Sequence, residues 1–340
     1  MRYFSKKIID SNILKQNFYN LKAKSNCNIC AVVKADAYGH GIMQVVETLN
    51  ECDFFAVQNV VEGAKVRQIN KNAKVLVLGF CSDYDFACAN NLSIMVDSVL
   101  QLKDIIRLNK KINIHLKINT GMNRLGFGSV KEFKTALKLI KQNRNINIEG
   151  IFTHCFCCDN QEITDRQLKK FSMFTKLCKG FGFLPIVHVG GSGIVNYNLK
   201  SIDYIRCGLF LYGYGCNLTK PIMKIVSKVL KITKIKKGEF VGYDCVFAAQ
   251  DDMTIGLVPF GYADGINIKQ NSVMLGENKV NIVGKICMDM FMIDITGLDA
   301  KVGDTVTIFE SATKWAKFLG VSEYQVLTSL ISARTENIVV

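Results

Sequence analysis

Apolar and polar residues follow one another along the first two thirds of the chain in a pattern that predicts short buried strands separated by helices. Runs rich in β-branched residues predict strands at 29–33, 54–57, 75–79, 94–96, 114–118, 148–153, 186–189 and 204–210. The longer stretches between them carry apolar residues at helical spacing. Eight such strand-helix units predict an α/β fold of the TIM (β/α)8 barrel type.

After about residue 222 the pattern changes to strands without intervening helices. It predicts strands at 226–235, 239–250, 253–259, 280–287, 290–295 and 305–309, then short helices at 313–319 and 323–332. Ser322 is a suitable N-cap for the last helix. We therefore expect a barrel domain at 1–222 and a C-terminal mainly β domain at 223–340. The first ten or so residues are also compatible with packing on the β domain.

Composition and charge exclude several classes of protein. The 340 residues are 49% hydrophobic and 21% charged, which favours folded cores over disorder. The formal net charge is +14, but Lys and Arg are dispersed along the chain, so no nucleic-acid partner is expected. The sequence contains neither an apolar run long enough to span a membrane nor a recognisable signal peptide, and we expect a cytoplasmic protein without a membrane partner.

The chain contains 13 cysteines, an odd number that, without a secretory signal, predicts mostly free thiols. Two clusters raise the question of a metal: Cys27 with Cys30, and Cys155 with Cys157 and Cys158. Structural zinc usually needs four converging ligands, and the chain has only four histidines. We therefore predict no metal site.

The catalytic residues of TIM barrels lie at the C-terminal ends of the strands, so polar residues at those positions are candidates. Lys34 directly follows the first predicted strand, where burial would lower the pKa of its amine and make it nucleophilic. Taken singly, such residues also have structural explanations, since long side chains reach solvent and buried histidines are often simply hydrogen-bonded. The other candidates are Arg124 after strand five, His154 at the end of strand six, Ser192 in the GGSG segment after strand seven, and Arg206 before Gly208 in strand eight.

Seven segments, in order along the chain, resemble motifs of the alanine racemase family. They are AVVKADAYGHG (31–41), HLKINTGMNRLG (115–126), GIFTHCF (150–156), IRCGLFLYG (205–213), VGYDCVF (241–247), GYADG (261–265) and GKICMD (284–289). The resemblance covers the whole chain. It implies a fold type III pyridoxal-phosphate enzyme that interconverts L-alanine and D-alanine, with a barrel followed by a β domain. In this family the D-alanine usually serves peptidoglycan synthesis.

The resemblance also implies a role for each matched residue. Lys34 would hold the aldehyde of pyridoxal 5'-phosphate as a Schiff base and move the substrate α-proton on one face, while Tyr243 would do so on the other. Arg124 and the backbone N–H of Met288 would bind the substrate carboxylate. Lys117, which is carbamylated in the family, and Asp289 would support them. The remaining cofactor contacts would come from Tyr38, His154, Ser192, Arg206, Gly208, Leu209 and Tyr262.

In this family Tyr243, Tyr262 and Met288 are supplied by the other subunit, so the resemblance implies a homodimer with shared active sites. Arg206 would face the pyridine nitrogen of the cofactor. Because arginine does not release its proton, that nitrogen would stay unprotonated, which favours reprotonation of the substrate over transamination.

Several positions depart from the family pattern: Gly191 replaces a common Asn, Asp244 a common Gly, Ile268 the usual Arg, and Ala333 a tyrosine near the substrate entrance. These changes leave open a racemase of serine or another amino acid. Two further alternatives are a non-catalytic pyridoxal-phosphate carrier, which would not need Tyr243, and a decarboxylase of the same fold type. A decarboxylase usually has an acidic residue where Arg206 stands.

Overall fold

In the computed structural model, which describes residues 4–81 and 83–340, eight parallel strands close into a barrel in chain order from β2 to β9. All residues of β3 and β9 are buried, as expected for parallel strands covered on both faces. The predicted α/β barrel is confirmed. The strands are β2 (Asn28–Val32), β3 (Phe54–Val57), β4 (Lys74–Val77), β5 (Ser93–Val96), β6 (Ile112–Lys117), β7 (Ile146–His154), β8 (Ile186–Gly190) and β9 (Tyr204–Cys207).

Helices precede β2 and follow the barrel strands as far as β7. They are α1 (Ser11–Ser25), α2 (Lys34–Tyr38), α3 (Ile42–Thr48), α4 (Val60–Ile69), α5 (Tyr84–Ala89), α6 (Val99–Arg107), α7 (Val130–Lys141) and α8 (Gln161–Gly180). From α4 to α8, each N-cap side chain accepts a hydrogen bond from the N–H three residues later, which fixes where the helix begins. The caps are Asn59, Asp83, Ser98, Ser129 and Asn160.

The last two barrel strands differ from the prediction. Each is followed within the described residues by a short 3₁₀ turn rather than an α-helix, at Ser192–Asn196 after β8 and at Leu209–Tyr212 after β9. The strand predicted at 204–210 is therefore too long. Its apolar character continues because Leu209–Tyr212 is buried, not because the chain stays extended.

The remaining strands form a nine-stranded sheet in the order β11-β12-β15-β14-β13-β16-β10-β1-β17. The strands are β1 (Lys6–Ile9), β10 (Met223–Lys228), β11 (Lys231–Ile235), β12 (Met253–Val258), β13 (Ser272–Leu275), β14 (Asn278–Val283), β15 (Phe291–Asp294), β16 (Thr305–Phe309) and β17 (Glu336–Val339). Two helices, α9 (Ala312–Leu319) and α10 (Glu323–Ser329), precede β17. Strand β1 pairs with β10 and with β17. Ser322 caps α10 as predicted.

Several predictions for this half are wrong. The strand predicted at 226–235 is two strands, β10 and β11. The strand predicted at 239–250 is absent from the described structure, because Gly242, Asp244 and Cys245 have positive φ angles that no strand accommodates. The strand predicted at 280–287 ends at Val283, before Gly284. The last helix ends at Ser329 rather than at residue 332.

The chain divides into two units, which we name by their strands. The barrel unit contains Leu14–Ala37 and Val45–Lys220, and the sheet unit contains Met1–Ile13, Tyr38–Gln44 and Pro221–Val340. Residues 1–3, part of the predicted N-terminal packing segment, lie outside the described residues. None of the helices in the described part of the chain has the length and hydropathy required to cross a membrane.

Candidate active site

Five basic side chains meet at the C-terminal ends of the barrel strands, where the chain topology predicts them. Lys34 follows β2, Lys117 ends β6, Arg124 lies in the loop after β6, His154 ends β7, and Arg206 is in β9. Lys34, Lys117 and His154 each interact electrostatically with Arg124 and Arg206. The barrel unit therefore brings these five predicted residues together.

Burial and the charges of the two arginines lower the pKa values of Lys34, Lys117 and His154. Burial, with the charge of Arg124, lowers the pKa of Lys34. Burial and the charges of Arg124 and Arg206 lower the pKa of Lys117 to about 8. Burial and the charge of Arg206 lower the pKa of His154 to about 3. A lowered pKa makes a lysine amine more available without its proton, as nucleophilic and proton-transfer chemistry requires.

Negative charge acts on this cluster only at a distance, from Glu62 on Lys34 and from Asp97 on Lys117. Within residues 4–81 and 83–340, no carboxylate forms an ion pair with Lys34, Lys117 or Arg124. Cations without a contacting carboxylate in a part-buried site favour an anionic ligand. A molecule with a phosphate and a substrate with a carboxylate would both satisfy that requirement, so the donor set fits pyridoxal phosphate and an amino acid.

The backbone after Lys34 is strained. Ala35, Asp36, Ala37 and Tyr38 have φ angles from 51° to 54°, so α2 is one turn of left-handed helix. Left-handed helix costs roughly 1–2 kcal/mol for each non-glycine residue. The N–H of Ala35 donates to Glu62 Oε1 at 2.8 Å, and the N–H of Gln58 donates to the other oxygen at 2.7 Å. Glu62, in the first turn of α4, therefore anchors the turn that begins at Lys34.

Arg206 is 4% exposed and is held on several sides. Its Nη2 donates to the carbonyl of Thr153 at 2.8 Å, its Nη1 lies 2.9 Å from His188 Nδ1, and its guanidinium lies 4.7 Å from the centre of the Phe152 ring. Gly190 makes room for it, since a Cβ at that position would lie 2.2 Å from Nη2. Burial lowers the pKa of Arg206 to about 10, which still leaves it a cation at neutral pH.

The turns after β8 and β9 meet at Ser192. The N–H of Gly208 donates to the Ser192 hydroxyl at 3.4 Å, and Leu209 begins the 3₁₀ turn that follows. Backbone N–H groups exposed at turns of this kind can bind phosphate. The structure therefore brings Ser192, Gly208 and Leu209 together within the barrel unit.

The other predicted residues belong to the sheet unit. The side chains of Tyr243, Tyr262 and Met288 are 65%, 46% and 53% exposed, which leaves them available to a partner. The loops that carry Tyr262 and Met288 are joined, because the N–H groups of Tyr262 and Ala263 donate to the carbonyls of Cys287 and Met288. Tyr38 is 7% exposed, and its ring lies 5.8 Å from that of Tyr324.

Arg334 joins the same two loops. Its Nε lies 3.3 Å from Asp264 Oδ1, and its Nη1 lies 2.8 Å from Asp289 Oδ1. Asp264 also accepts the N–H of Gly261 at 2.8 Å. The predicted supporting residue Asp289 therefore has a structural partner that the sequence reasoning missed.

Other residues were also missed in the barrel. They are Glu62, His115, Glu149 and His188. Glu62 could have been found from the segment NVVE at 59–62, since an N-cap Asn followed three residues later by Glu is typical of a helix start. His115 stands two positions before Lys117 on the same strand, and side chains two apart in a strand lie on one face. That alternation was the available signal for His115.

Two domain models cover nearly the whole chain. The model described as alanine racemase, N-terminal domain, matches residues 9–215, and the model described as alanine racemase, C-terminal domain, matches residues 222–339. The chain belongs to the alanine racemase family. The predicted resemblance is confirmed, and the chain is an amino-acid racemase of a family of pyridoxal-phosphate-dependent isomerases with a TIM-barrel domain.

Individual alanine racemases agree in sequence and in structure. The proteins named alanine racemase from Thermodesulfovibrio yellowstonii and Borreliella burgdorferi are 32% and 31% identical, over 97% and 95% of this chain and 96% and 94% of theirs. Alanine racemase of Clostridium difficile 630 superposes with a TM-score of 0.92 at 30% identity, over 99% of this chain and 96% of that one. The Bacillus anthracis structure with bound L-Ala-P gives a TM-score of 0.90 at 26% identity, over 99% and 95%.

The local backbone explains two of the four departures from the alanine racemase pattern. Gly191 has a φ of 104°, and a Cβ there would lie 2.5 Å from the Cys155 carbonyl oxygen and 3.1 Å from Cys158 Sγ. Asp244 has a φ of 61°, a conformation that Asp tolerates better than most residues with a Cβ. Asp244 also pairs with Lys285 at 2.5 Å. Nothing in the structure explains Ile268 or Ala333.

Proposed function

We propose that this chain interconverts L-alanine and D-alanine with pyridoxal 5'-phosphate, using Lys34 and Tyr243 as the two proton-transferring groups. The observation that carries the proposal is the cluster of Lys34, Lys117, Arg124 and Arg206 at one end of the barrel, with which no carboxylate of the described residues forms an ion pair. The family supports the cofactor and an amino-acid substrate. The lowered pKa of the Lys34 amine supports its role as the attachment point.

When bound, pyridoxal phosphate supplies an aldehyde for the substrate amine and a ring that accepts the electrons released when the Cα–H bond breaks. Lys34 takes or returns the proton at one face of the substrate α-carbon, and Tyr243 serves the opposite face, because racemisation needs a base on each side. Arg206 would donate a hydrogen bond to the ring nitrogen and, because arginine keeps its proton, would not protonate it. Arg124 pairs with the substrate carboxylate.

The cofactor phosphate has its own proposed contacts. Tyr38, Ser192 and the N–H groups of Gly208 and Leu209 would hold the phosphate, while His154 and Tyr262 would complete the surroundings of the cofactor. The N–H of Met288 assists Arg124 at the substrate carboxylate. Asp289 supports Met288 through its pairing with Arg334.

Lys117 acts as a support for Arg124 in this proposal. Its Nζ lies 5.9 Å from the centre of the Phe152 ring, and its pKa of about 8 leaves an appreciable fraction of neutral amine at physiological pH. A neutral amine can react with carbon dioxide to give a carbamate, which turns a cation into an anion beside Arg124. Intact-mass measurement in bicarbonate buffer tests for this modification.

The visible absorption spectrum of the purified chain tests the cofactor and the lysine together. We expect a band from lysine-bound pyridoxal phosphate that disappears in Lys34→Ala. Lys131→Ala is the matched control, because Lys131 is an exposed residue of α7 in the same unit. A protein that takes up no cofactor, or a band that survives in Lys34→Ala, would contradict the proposal.

Substrate and products are tested by chiral chromatography after incubation with L-alanine, L-serine and L-lysine. We expect alanine to racemise fastest. Faster turnover of serine or lysine would overturn the alanine assignment, and release of carbon dioxide without racemisation would indicate a decarboxylase. Tyr243→Phe should abolish racemisation while it keeps the visible band, whereas an unchanged rate would refute the two-base mechanism.

We also propose that the chain acts as a homodimer in which Tyr243, Tyr262 and Met288 are supplied to the barrel of the other copy. Mixing and refolding Lys34→Ala with Tyr243→Phe chains tests this. Random pairing makes half of the dimers mixed, and each would hold one intact site, so about a quarter of the sites recover. No recovery of activity in the mixture would show that each chain uses its own tyrosine.

A further inference from the structure

Three buried side chains and the partly exposed Glu149 form a continuous hydrogen-bonded series through the interior of the barrel. Arg206 Nη1 lies 2.9 Å from His188 Nδ1, His188 Nε2 lies 2.8 Å from His115 Nδ1, and His115 Nε2 lies 2.9 Å from Glu149 Oε2. Both histidines are 0% exposed and Arg206 is 4% exposed. We call this series, Arg206, His188, His115 and Glu149, the barrel chain.

The donors and acceptors of the barrel chain permit one arrangement of protons. Arginine only donates, so His188 Nδ1 must accept. A neutral imidazole carries one N–H, so His188 Nε2 is the donor and His115 Nδ1 accepts from it. His115 Nε2 then carries the N–H that donates to Glu149. Every hydrogen bond therefore points from the guanidinium towards the carboxylate.

Charging either histidine would break this arrangement, because a second N–H would then face another donor. The burial and the charges around the barrel chain favour neutral imidazoles. Burial lowers the pKa of His188 and of His115, with Arg206 lowering both further, while Glu149 favours and Lys74 opposes a charged His115. Burial is the largest single influence on Glu149 and raises its pKa, but the combined effects of His115, of the hydrogen bond from Ser93 and of the charge of Lys74 lower that pKa overall.

The surrounding strands are shaped to hold these rings. A Cβ at Gly150 would lie 2.1 Å from His115 Nδ1, so only glycine leaves room for that ring. Phe152 stacks on His188 with ring centres 4.9 Å apart and an interplanar angle of 20°. Phe54 contacts both imidazoles, at 5.6 Å and 5.3 Å between ring centres. These contacts restrict rotation of the rings.

We propose that the barrel chain is a positioning device in which Glu149, at the far end, fixes the tautomers of His115 and His188 and through them the guanidinium of Arg206. His188, His115 and Glu149 are positioning residues, since they act through Arg206. The effect of the barrel chain on the cofactor rests on the proposed function, in which Arg206 faces the pyridine nitrogen. The proton arrangement itself does not depend on that function.

The tautomers can be read directly by ¹⁵N NMR of the full-length chain labelled only in histidine. The chain contains four histidines, so His→Gln variants suffice to assign the signals. At pH 7.5 we expect His115 and His188 each to carry a proton on Nε2 and none on Nδ1. A proton on Nδ1 of either ring, or a doubly protonated ring, would overturn the proposal whether or not the protein racemises alanine.

Substitution of Glu149 tests whether this residue sets the tautomer of His188 through the barrel chain. Glu149→Leu removes the acceptor, and we expect the His188 tautomers to become mixed although residue 149 does not touch His188. We expect the dissociation constant for pyridoxal phosphate to rise about tenfold, within the range of coupling between members of one hydrogen-bond network. Glu149→Gln keeps an accepting oxygen and should restore the wild-type His188 signal. An unchanged His188 signal in Glu149→Leu, or no restoration in Glu149→Gln, would refute the coupling.

Asp53→Asn is the matched control. Asp53 accepts the hydroxyl of Tyr204 at 2.6 Å, and Tyr204 packs against Phe54, so this carboxylate reaches the same rings by packing alone. We expect the histidine signals and the cofactor affinity of Asp53→Asn to match the wild type. Effects equal to those of Glu149→Leu would assign them to general packing and overturn the proposal. Expected tautomers in a protein without racemase activity would refute the proposed function alone.

Discussion

Gly190→Ala is the substitution whose effect follows most directly from the structure. Gly190 ends β8 and is not among the glycines with positive φ, so its backbone accepts alanine and the effect is steric. The new Cβ would lie 2.2 Å from Arg206 Nη2 and 2.8 Å from His154 Nδ1. One added methyl group therefore collides with two residues of the proposed cofactor site.

The cost can be worked from these distances. Ordinary contact begins at 3.4 Å, so the guanidinium must withdraw by 3.4 − 2.2 = 1.2 Å. That movement breaks the 2.8 Å hydrogen bond from Nη2 to the Thr153 carbonyl. Overpacking costs about 1–3 kcal/mol, and loss of a hydrogen bond from a charged donor costs about 1.5–3 kcal/mol. We expect the free energy of unfolding to fall by about 2.5–6 kcal/mol and cofactor binding to weaken.

Urea denaturation compared with Gly180→Ala provides the measurement. Gly180 ends α8, and no atom lies within 4 Å of a Cβ built there. Alanine at a helical position is expected to stabilise by up to about 1 kcal/mol. If Gly190→Ala unfolds within 1 kcal/mol of Gly180→Ala and binds pyridoxal phosphate equally well, the close packing of Arg206 against β8 is wrong.

Three further predictions concern strain, pH and loop anchoring. Ala35→Gly should raise the free energy of unfolding by about 0.5–1 kcal/mol because it relieves a left-handed residue, whereas Ala64→Gly in the right-handed α4 should lower it by a similar amount; equal signs in urea denaturation would contradict the left-handed turn. The pKa of His154 is about 3 when folded, so the unfolded chain alone takes up this proton as the pH falls from about 6.5 to 3, and stability falls. His154→Gln should flatten that loss in denaturation curves recorded across this window, and an unchanged slope would exclude the effect. Arg334→Met leaves the 6%-exposed side chain of Asp264 without its cation and should lower the free energy of unfolding by about 1–2 kcal/mol. This is less than a buried pair would cost, because the Arg334 side chain is 46% exposed. A stability equal to the wild type in urea would show that Arg334 does not hold the loops.

Strand prediction succeeded where the apolar run and the strand have the same length. β3 is predicted at 54–57 and found at Phe54–Val57, because a four-residue strand in a barrel is buried on both faces. The same reasoning failed at 204–210, because Leu209–Tyr212 is equally apolar but turns as a 3₁₀ segment. It failed again at 239–250, where an apolar-rich segment coincides with the positive φ angles of Asp244 and Cys245. Hydrophobic periodicity reports burial, and only indirectly the backbone conformation.

The site shows the same division between what local sequence specifies and what the fold creates. The rule that barrel chemistry lies at the strand ends was enough to predict Lys34, His154 and Arg206. The hydrogen bond between His188 and His115 joins β8 to β6, two strands separated by β7 in the barrel. The local sequence of either strand does not predict this pairing.

The left-handed turn after Lys34 was equally hidden. Four consecutive residues with positive φ are improbable in a sequence without glycine. The segment AVVKADAY (31–38) contains no glycine, and Gly39 is the first to follow it. Such strain persists only where surrounding contacts overcome it. One of these contacts is the N–H of Ala35, which donates to Glu62, whose other oxygen is held by the N–H of Gln58.

The buried charge of Arg206 is compensated, whereas the cations at the barrel mouth, among them Lys34, have no carboxylate in direct contact within the described residues. A fully buried guanidinium needs compensation, and the barrel chain connects Arg206 through two neutral rings to Glu149 rather than to a carboxylate in direct contact. A carboxylate beside Arg206 would compete with an anionic ligand at the barrel mouth, where Lys34, Lys117 and Arg124 remain unpaired within the described residues. Moving the negative charge to the far end of the chain stabilises the arginine and leaves the mouth positive. Glu149→Leu should therefore destabilise the protein and weaken cofactor binding, because the lost charge acts on the position of Arg206.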